Sequence, residues 1–206
     1  MLVIGLTGGI GSGKSTVSRL LGEKGAVIID VDQLGREVLL PDGRAHDGVI
    51  DEFGRGIVGD DGHIDRAKLA AVVFNDPAAL NRLTAISHPA INAEIADRLD
   101  ALPRDAIVVL DMAILVESFL GRGDPEHSYT KVIVVETPVD VRVERAVARG
   151  MKADDVRARI NSQASDGERR KVADLVVTNA GDLDALQHEV DRVWTTVSTW
   201  ATERAG

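Results

Sequence analysis

Cysteine is absent from the 206 residues, so neither a disulfide framework nor a thiolate-held metal can belong to this chain. Aromatic side chains make up only 3% of it. A core must therefore be assembled from Val, Ile, Leu and Ala, a composition that suits parallel strands covered by helices. No apolar run approaches the roughly 18 residues of a membrane span. Met1-Leu2-Val3-Ile4 opens the chain as a short strand, without the charged start and long apolar stretch of an export signal; the expectation is a cytoplasmic protein with no membrane partner. Basic residues are also short, 24 Lys and Arg against 33 Asp and Glu, for a net charge of -9. That balance excludes a general nucleic-acid binder, and any anionic ligand has to be met by a local cluster.

What is present is a 44% apolar chain of single-domain length. Five short β-branched runs, at 2–6, 26–29, 106–110, 131–135 and 175–177, have strand length and read as buried strands. Helical periods separate them. Val17, Leu20 and Leu21 begin one that Gly25 can stop, and Ile91, Ile95, Leu99 and Leu102 line another before Pro103. Leu183, Leu186, Val190, Val193, Val197 and Trp200 line a long closing helix behind Asp182 as N-cap. Strands alternating with helices imply an α/β fold with a parallel sheet. Residues 33–103 are too many for one crossover and are expected to form a helical subdomain, with turns at Pro41-Asp42-Gly43, at 54–62 and at Asn75-Asp76-Pro77.

Gly8-Gly9-Ile10-Gly11-Ser12-Gly13-Lys14-Ser15 matches the eight-position P-loop pattern without a mismatch, between a buried strand and an amphipathic helix. Glycines there let successive backbone N–H groups turn onto a phosphate, and the helix N-terminus adds partial positive charge. Lys14 can reach the β and γ oxygens of ATP, and the Ser15 hydroxyl can take a place on Mg²⁺. A dinucleotide fingerprint fails on spacing, because its third glycine falls on Lys14.

Asp30-Val31-Asp32 follows the second strand, at the carboxyl edge where open parallel sheets bind ligands. Asp32 is placed to accept a proton from a hydroxyl acceptor; the bland alternative is a cap on a helix over 33–39. Asp111 after the third strand is a candidate Mg²⁺ ligand or ordinary turn chemistry, with Glu117 behind it. His88-Pro89 reads as an imidazole at a helix start. Arg142, Arg145 and Arg149 recur at i, i+3 and i+7, a positive stripe on one helical face. With Arg157 and Arg159 it reads as a lid, or else as a solvated face paired with Asp140 and Glu144.

Thr7 to Ser15, Asp30-Val31-Asp32, His88-Pro89, Leu115-Val116-Glu117-Ser118 and the stretch 163–181 together resemble the dephospho-CoA kinase family, in order and spacing, over essentially the whole chain. The resemblance implies a P-loop kinase core with a five-stranded parallel sheet of order 2-3-1-4-5, a helical substrate-binding subdomain and a helical lid. It places the core at 1–32, 104–140 and 172–206, the subdomain at 33–103 and the lid at 141–171. It implies ATP-dependent phosphorylation of the ribose 3′-hydroxyl of dephospho-CoA, with Mg²⁺. By position, Asp32, Lys14 and Arg145 are catalytic. Gly9, Gly11, Ser12, Gly13, Lys14, Ser15, Thr16, Arg149 and Asn179 bind ATP, with Asn179 by the adenine. Asp32, Arg36 and His88 meet the acceptor, and Ser15 and Asp111 the metal. On this reading Arg142→Lys matters little. The family usually has Pro at the place of Ala113 and Gly at that of Ala180. Another small-molecule kinase of this fold, or a nucleotide-dependent switch, also fits the P-loop alone. No Asp-x-x-Gly follows the third strand and no Asn-Lys-x-Asp occurs, which speaks against a GTPase. The sequence sets no oligomeric state, and a monomer is compatible with it.

Overall fold

Strand β1 (Leu2–Gly8) is buried at every position, because sheet neighbours flank it and side chains cover both of its faces. Around it lie β2 (Val27–Asp30), β3 (Ile107–Asp111), β4 (Lys131–Glu136) and β5 (Leu175–Thr178), in the order β2-β3-β1-β4-β5. Every pairing is parallel, with Leu6 opposite Asp111 and Ile133, and Asp30 opposite Asp111. Four of the apolar runs thus continue one residue further, into Asp30, Asp111, Glu136 or Thr178. Parallel pairing gathers these polar ends on the edge from which β1 delivers its loop. The edge strands β2 and β5 are only partly buried. The computed structural model describes residues 1–74, 76–118 and 120–205; Asn75 of the expected turn lies outside the described residues.

The chain forms two compact units, Met1–Asp30 with Ala101–Gly206, and Val31–Asp100. In the first, α1 (Lys14–Glu23) and α9 (Leu183–Ala205) pack on the sheet. Branched aliphatic side chains dominate this core: Ile4, Leu6, Val17, Leu21, Ile133, Val190 and Val193 are all essentially solvent-free. Burying each contributes about 1.5–3 kcal/mol. Asp182 caps α9 as expected, its Oδ1 accepting from Ala185 N–H at 2.9 Å, whereas Leu183 is exposed and leaves the apolar stripe. Between β4 and β5 run α6 (Val139–Ala148), α7 (Ala153–Ser162) and α8 (Asp166–Val172). Gly150, at φ +90°, turns the chain between α6 and α7 in a conformation that favours glycine.

The second unit is helical: α2 (Val31–Glu37), α3 (His46–Phe53), α4 (Arg66–Val73) and α5 (Pro77–Asp100). Asp65 caps α4, accepting from the Ala67 and Lys68 N–H groups. Ile91, Ile95 and Leu99 are buried on α5, while Leu102 falls beyond its end. His88-Pro89 does not start a helix. Pro89 sits inside α5, exposed, so its ring faces away from the packed side. The N–H it lacks costs one intrahelical bond, and Ala79, Ala90, Ile91 and Ile95, buried on both sides of it, hold the helix together. Helix α2 begins two residues before the expected 33–39, so Asp32 lies inside its first turn and is not a residue capping it from outside.

Candidate phosphate-binding and active site

The loop from β1 to α1 carries three glycines at which an added Cβ would meet a neighbour or strain the backbone, for different reasons. Gly11 and Gly13 take φ +75° and +89°, the left-handed region that L side chains avoid. At Gly13 a Cβ would also fall on the Asn179 amide nitrogen, and at Gly11 it would lie 2.6 Å from the Arg142 carbonyl oxygen. Gly9 has no positive φ; there a Cβ would fall on Arg142 Nη1. The loop is thus wrapped from outside by β4–α6 and β5–α9.

Hydrogen bonds fasten it. Asn179 Nδ2 donates to the Ser12 carbonyl at 2.8 Å, and Thr137 Oγ1 lies within hydrogen-bonding distance of the Ser12 and Asn179 carbonyls, at 2.9 and 3.0 Å. Thr137 and Asn179 are both buried, and such a brace in a water-poor place is worth more than the same bonds on the surface. Ile10 N–H donates to Gln163 Oε1 at 2.9 Å, which ties the loop to the segment between α7 and α8. Thr16 and Val17 N–H both return to the Gly13 carbonyl and begin α1.

Within the loop's concave side is a cleft of about 340 Å³. Gly9, Gly11, Ser12, Gly13, Lys14, Ser15 and Thr16 all line it, joined by Ala113, Arg149 and Arg159. Lys14 Nζ forms an ion pair with Asp111 Oδ1, both groups mostly withdrawn from solvent. Ser15 stands exposed at the helix start, where a ligand can reach its hydroxyl. The cleft thus offers N–H donors, a lysine with a carboxylate paired to it, and two arginines: groups of the kind that hold and polarise a triphosphate.

The arginine stripe does not face one way. Arg142 is 2% exposed and paired with Asp166 at 2.7 Å. Arg145 donates to the Asn179 and Gly181 carbonyls, at 3.1 and 3.2 Å. Arg149 is exposed past the end of α6 and lines the cleft. Tertiary packing, invisible in an i, i+3, i+7 spacing, makes this distinction. Glu117 accepts from Ala164 N–H at 2.7 Å. Thr137, Gln163 and Arg169 were not singled out by spacing; nothing in a lone Thr, Gln or Arg marks it as a partner of the loop.

In the helical unit, Asp32 is partly buried in the first turn of α2. Arg36, exposed one turn on, donates from Nε to Gln33 Oε1 at 2.6 Å. Gly35 packs on Ile91, 3.6 Å from it for an added Cβ, and His88 lies one turn before Ile91 on the same side of α5. Partial burial pulls the His88 imidazole below the ordinary value of 6.5, because desolvation disfavours its charged form.

A parallel sheet of this order, with a P-loop delivered by its central strand and a lysine paired to an acid on the next, defines a P-loop kinase. The model of the dephospho-CoA kinase family matches residues 2–185. Dephospho-CoA kinases from Frankia casuarinae and Thermobifida fusca are each 44% identical to it, over 94% of this chain and 82% and 95% of theirs. A crystal structure from Thermus thermophilus superposes with a TM-score of 0.76 at 34% identity, covering 95% of this chain and 97% of the other. The chain belongs to the dephospho-CoA kinase family, and its activity is the ATP-dependent phosphorylation step of coenzyme A biosynthesis.

Proposed function

We propose that this chain transfers the γ-phosphoryl group of ATP to the ribose 3′-hydroxyl of dephospho-CoA, with the loop from Gly8 to Ser15 holding the triphosphate. The cleft lined by the loop, Lys14 and two arginines carries this reading. In the transfer, the acceptor oxygen forms a bond to the γ phosphorus as the bond from that phosphorus to the bridging oxygen breaks, leaving ADP. Asp32 takes the hydroxyl proton; in sequence it follows Asp30, the last residue of β2, by two positions. Lys14 shares the charge of the γ oxygens, with Asp111 orienting its ammonium. Arg149 and Arg159 bind the triphosphate from the α6–α7 side, and Arg145 reaches the phosphoryl group when it leaves its carbonyl partners. Asn179 binds at the adenine end through its backbone neighbourhood, its amide being spent on Ser12.

Mg²⁺ fits the donors present. It keeps most of its waters and takes one or two protein oxygens beside phosphates, and no cluster of three or more His, Cys, Asp or Glu capable of caging a metal occurs among the described residues. Ser15 and Asp111 would hold it. When bound, it neutralises charge on the β and γ oxygens. Arg36 and His88 meet the acceptor, the first as a cation for its phosphates and the second as a neutral imidazole. We assign the acceptor-binding role to 33–103, the lid to 141–171 and the core to the remainder. No helix among the described residues is long and apolar enough to cross a membrane. We place the reaction in the cytoplasm and without nucleic acid, and a monomer is compatible with it.

Incubation with Mg-ATP and dephospho-CoA, read by mass, should give CoA and ADP in equal amounts. Absence of CoA under conditions where ATP binds would remove the acceptor assignment.

A further inference from the structure

Behind the phosphate loop, buried guanidinium N–H groups outnumber the acceptors that meet them. Arg142 and Arg169 are each 2% exposed. They share one carboxylate, Asp166, which takes Arg142 Nη2 at 2.7 Å and Arg169 Nη1 at 3.4 Å. Glu117 adds only a loose pair with Arg169, at 4.0 Å. Arg142 Nε and Arg169 Nε have no hydrogen-bond acceptor among the described residues, and neither has Arg169 Nη2. Two incompletely paired buried guanidinium groups are a poor way to stabilise a fold. Both lie against Gly9: a Cβ there would fall on Arg142 Nη1 and come 3.4 Å from Arg169 Nη1. The main chain of Arg142 presses on Gly11 in the same way.

We propose that Arg142 and Arg169 are positioning residues for ATP, holding the Gly9–Gly11 arch of the loop in its phosphate-binding shape from outside. This rests on the reading that the loop binds ATP. Helix α6 supplies one guanidinium and α8 the other, and Asp166 locks the two together. Segment 163–169 joins the same structure through Gln163 on Ile10 N–H and through Ala164 N–H on Glu117. The expectation that Arg142→Lys matters little is reversed by the burial of its side chain.

The test uses Gly9→Ala, Arg142→Met, their double variant and Arg142→Lys in the full chain. It measures the Mg-ATP dissociation constant, kcat and KM for each substrate, and the unfolding temperature without ligand. Gly9 has no positive φ, so Gly9→Ala brings no left-handed backbone strain and sets its Cβ where the Arg142 guanidinium lies. Each of the first two should lower kcat/KM for ATP by about 10²-fold, the loss typical of a small misplacement, with KM for the acceptor unchanged. The double variant should lose no more than either single, because both remove the same contact. Arg142→Lys, which keeps charge without the planar fork, should fall between. Near-normal ATP affinity in Gly9→Ala would overturn the proposal. So would multiplicative losses, or a loss in Arg142→Met that follows its unfolding temperature while the ATP dissociation constant stays put. If the unsubstituted chain fails to bind Mg-ATP, the loop reading itself falls. If the chain binds it and both variants bind equally well, only the present inference does.

Discussion

At the scale of single residues, one loop concentrates the chemistry and a few charges set its polarity. Lys14 lines the cleft with Asp111 as its ion-pair partner, so on the proposed reading Lys14→Ala removes charge stabilisation and leaves a buried carboxylate without this cation. Turnover should fall by about 10²-fold or more, seen as reduced kcat in a coupled ADP assay. Asp32→Asn keeps size and loses the ability to accept a proton. It should lower kcat by about 10²–10⁴ with ATP affinity intact. An unchanged kcat, once chemistry is shown to be rate-limiting, would reduce Asp32 to a helix residue. His88 titrates below the ordinary value of 6.5 because burial disfavours its cation. Between its folded value and 6.5, the unfolded chain binds the proton more readily, so His88 costs stability as pH falls through that window. Urea midpoints at pH 7.5 and 5.5 should therefore differ less in His88→Gln than in the unsubstituted chain; an equal difference would show that His88 is not desolvated.

Among the elements, α8 shows most clearly how local chemistry serves the site. Its Ser165 hydroxyl accepts from Glu168 N–H, and the Glu168 carboxylate returns to Ser165 N–H, a reciprocal cap that also holds Glu168 below the usual carboxylate range. A helix of seven residues is marginal without tertiary support, yet it must present Asp166 and Arg169 behind the loop. Ser165→Ala should cost about 1 kcal/mol of stability, measured by denaturant unfolding, and should weaken ATP binding along with it. If stability falls and ATP affinity does not, α8 supports the fold but not the loop. Helix α5 makes the opposite point. Local chemistry at Pro89 argues for a break, and the apolar side chains packed before and after it override that preference.

Over the whole molecule, the chain has two units, one with the sheet and phosphate loop and one built of helices. The fold alone does not choose an acceptor, since function resides in sites placed on a scaffold. Choice of acceptor is expected to depend on the helical unit and not on the loop. Arg36 lies there, exposed. Arg36→Ala should raise KM for dephospho-CoA about tenfold or more, the loss of a charge-assisted hydrogen bond, and leave KM for ATP as it was. Equal shifts in both constants would contradict this division. The net charge of -9 sharpens it: in an acidic molecule, anionic substrates are met only where cations are gathered.

Much of this could be read along the chain, because the signals were local. Eight consecutive residues define the phosphate loop. Runs of three to five residues rich in Val, Ile and Leu define strands, and an Asp before a periodic stripe defines the cap at Asp182. The sheet order and the family followed from motifs spread over the chain and resembling a known set. What only the tertiary structure decided involves residues far apart in sequence. Three arginines at helical spacing look alike, but packing buries Arg142 against Gly9, turns Arg145 onto the β5–α9 carbonyls and leaves Arg149 at the cleft. Thr137 and Asn179 brace Ser12 from 125 and 167 residues away. No periodicity records such partners, because they are selected by which surfaces meet when strands pair and helices cover the sheet.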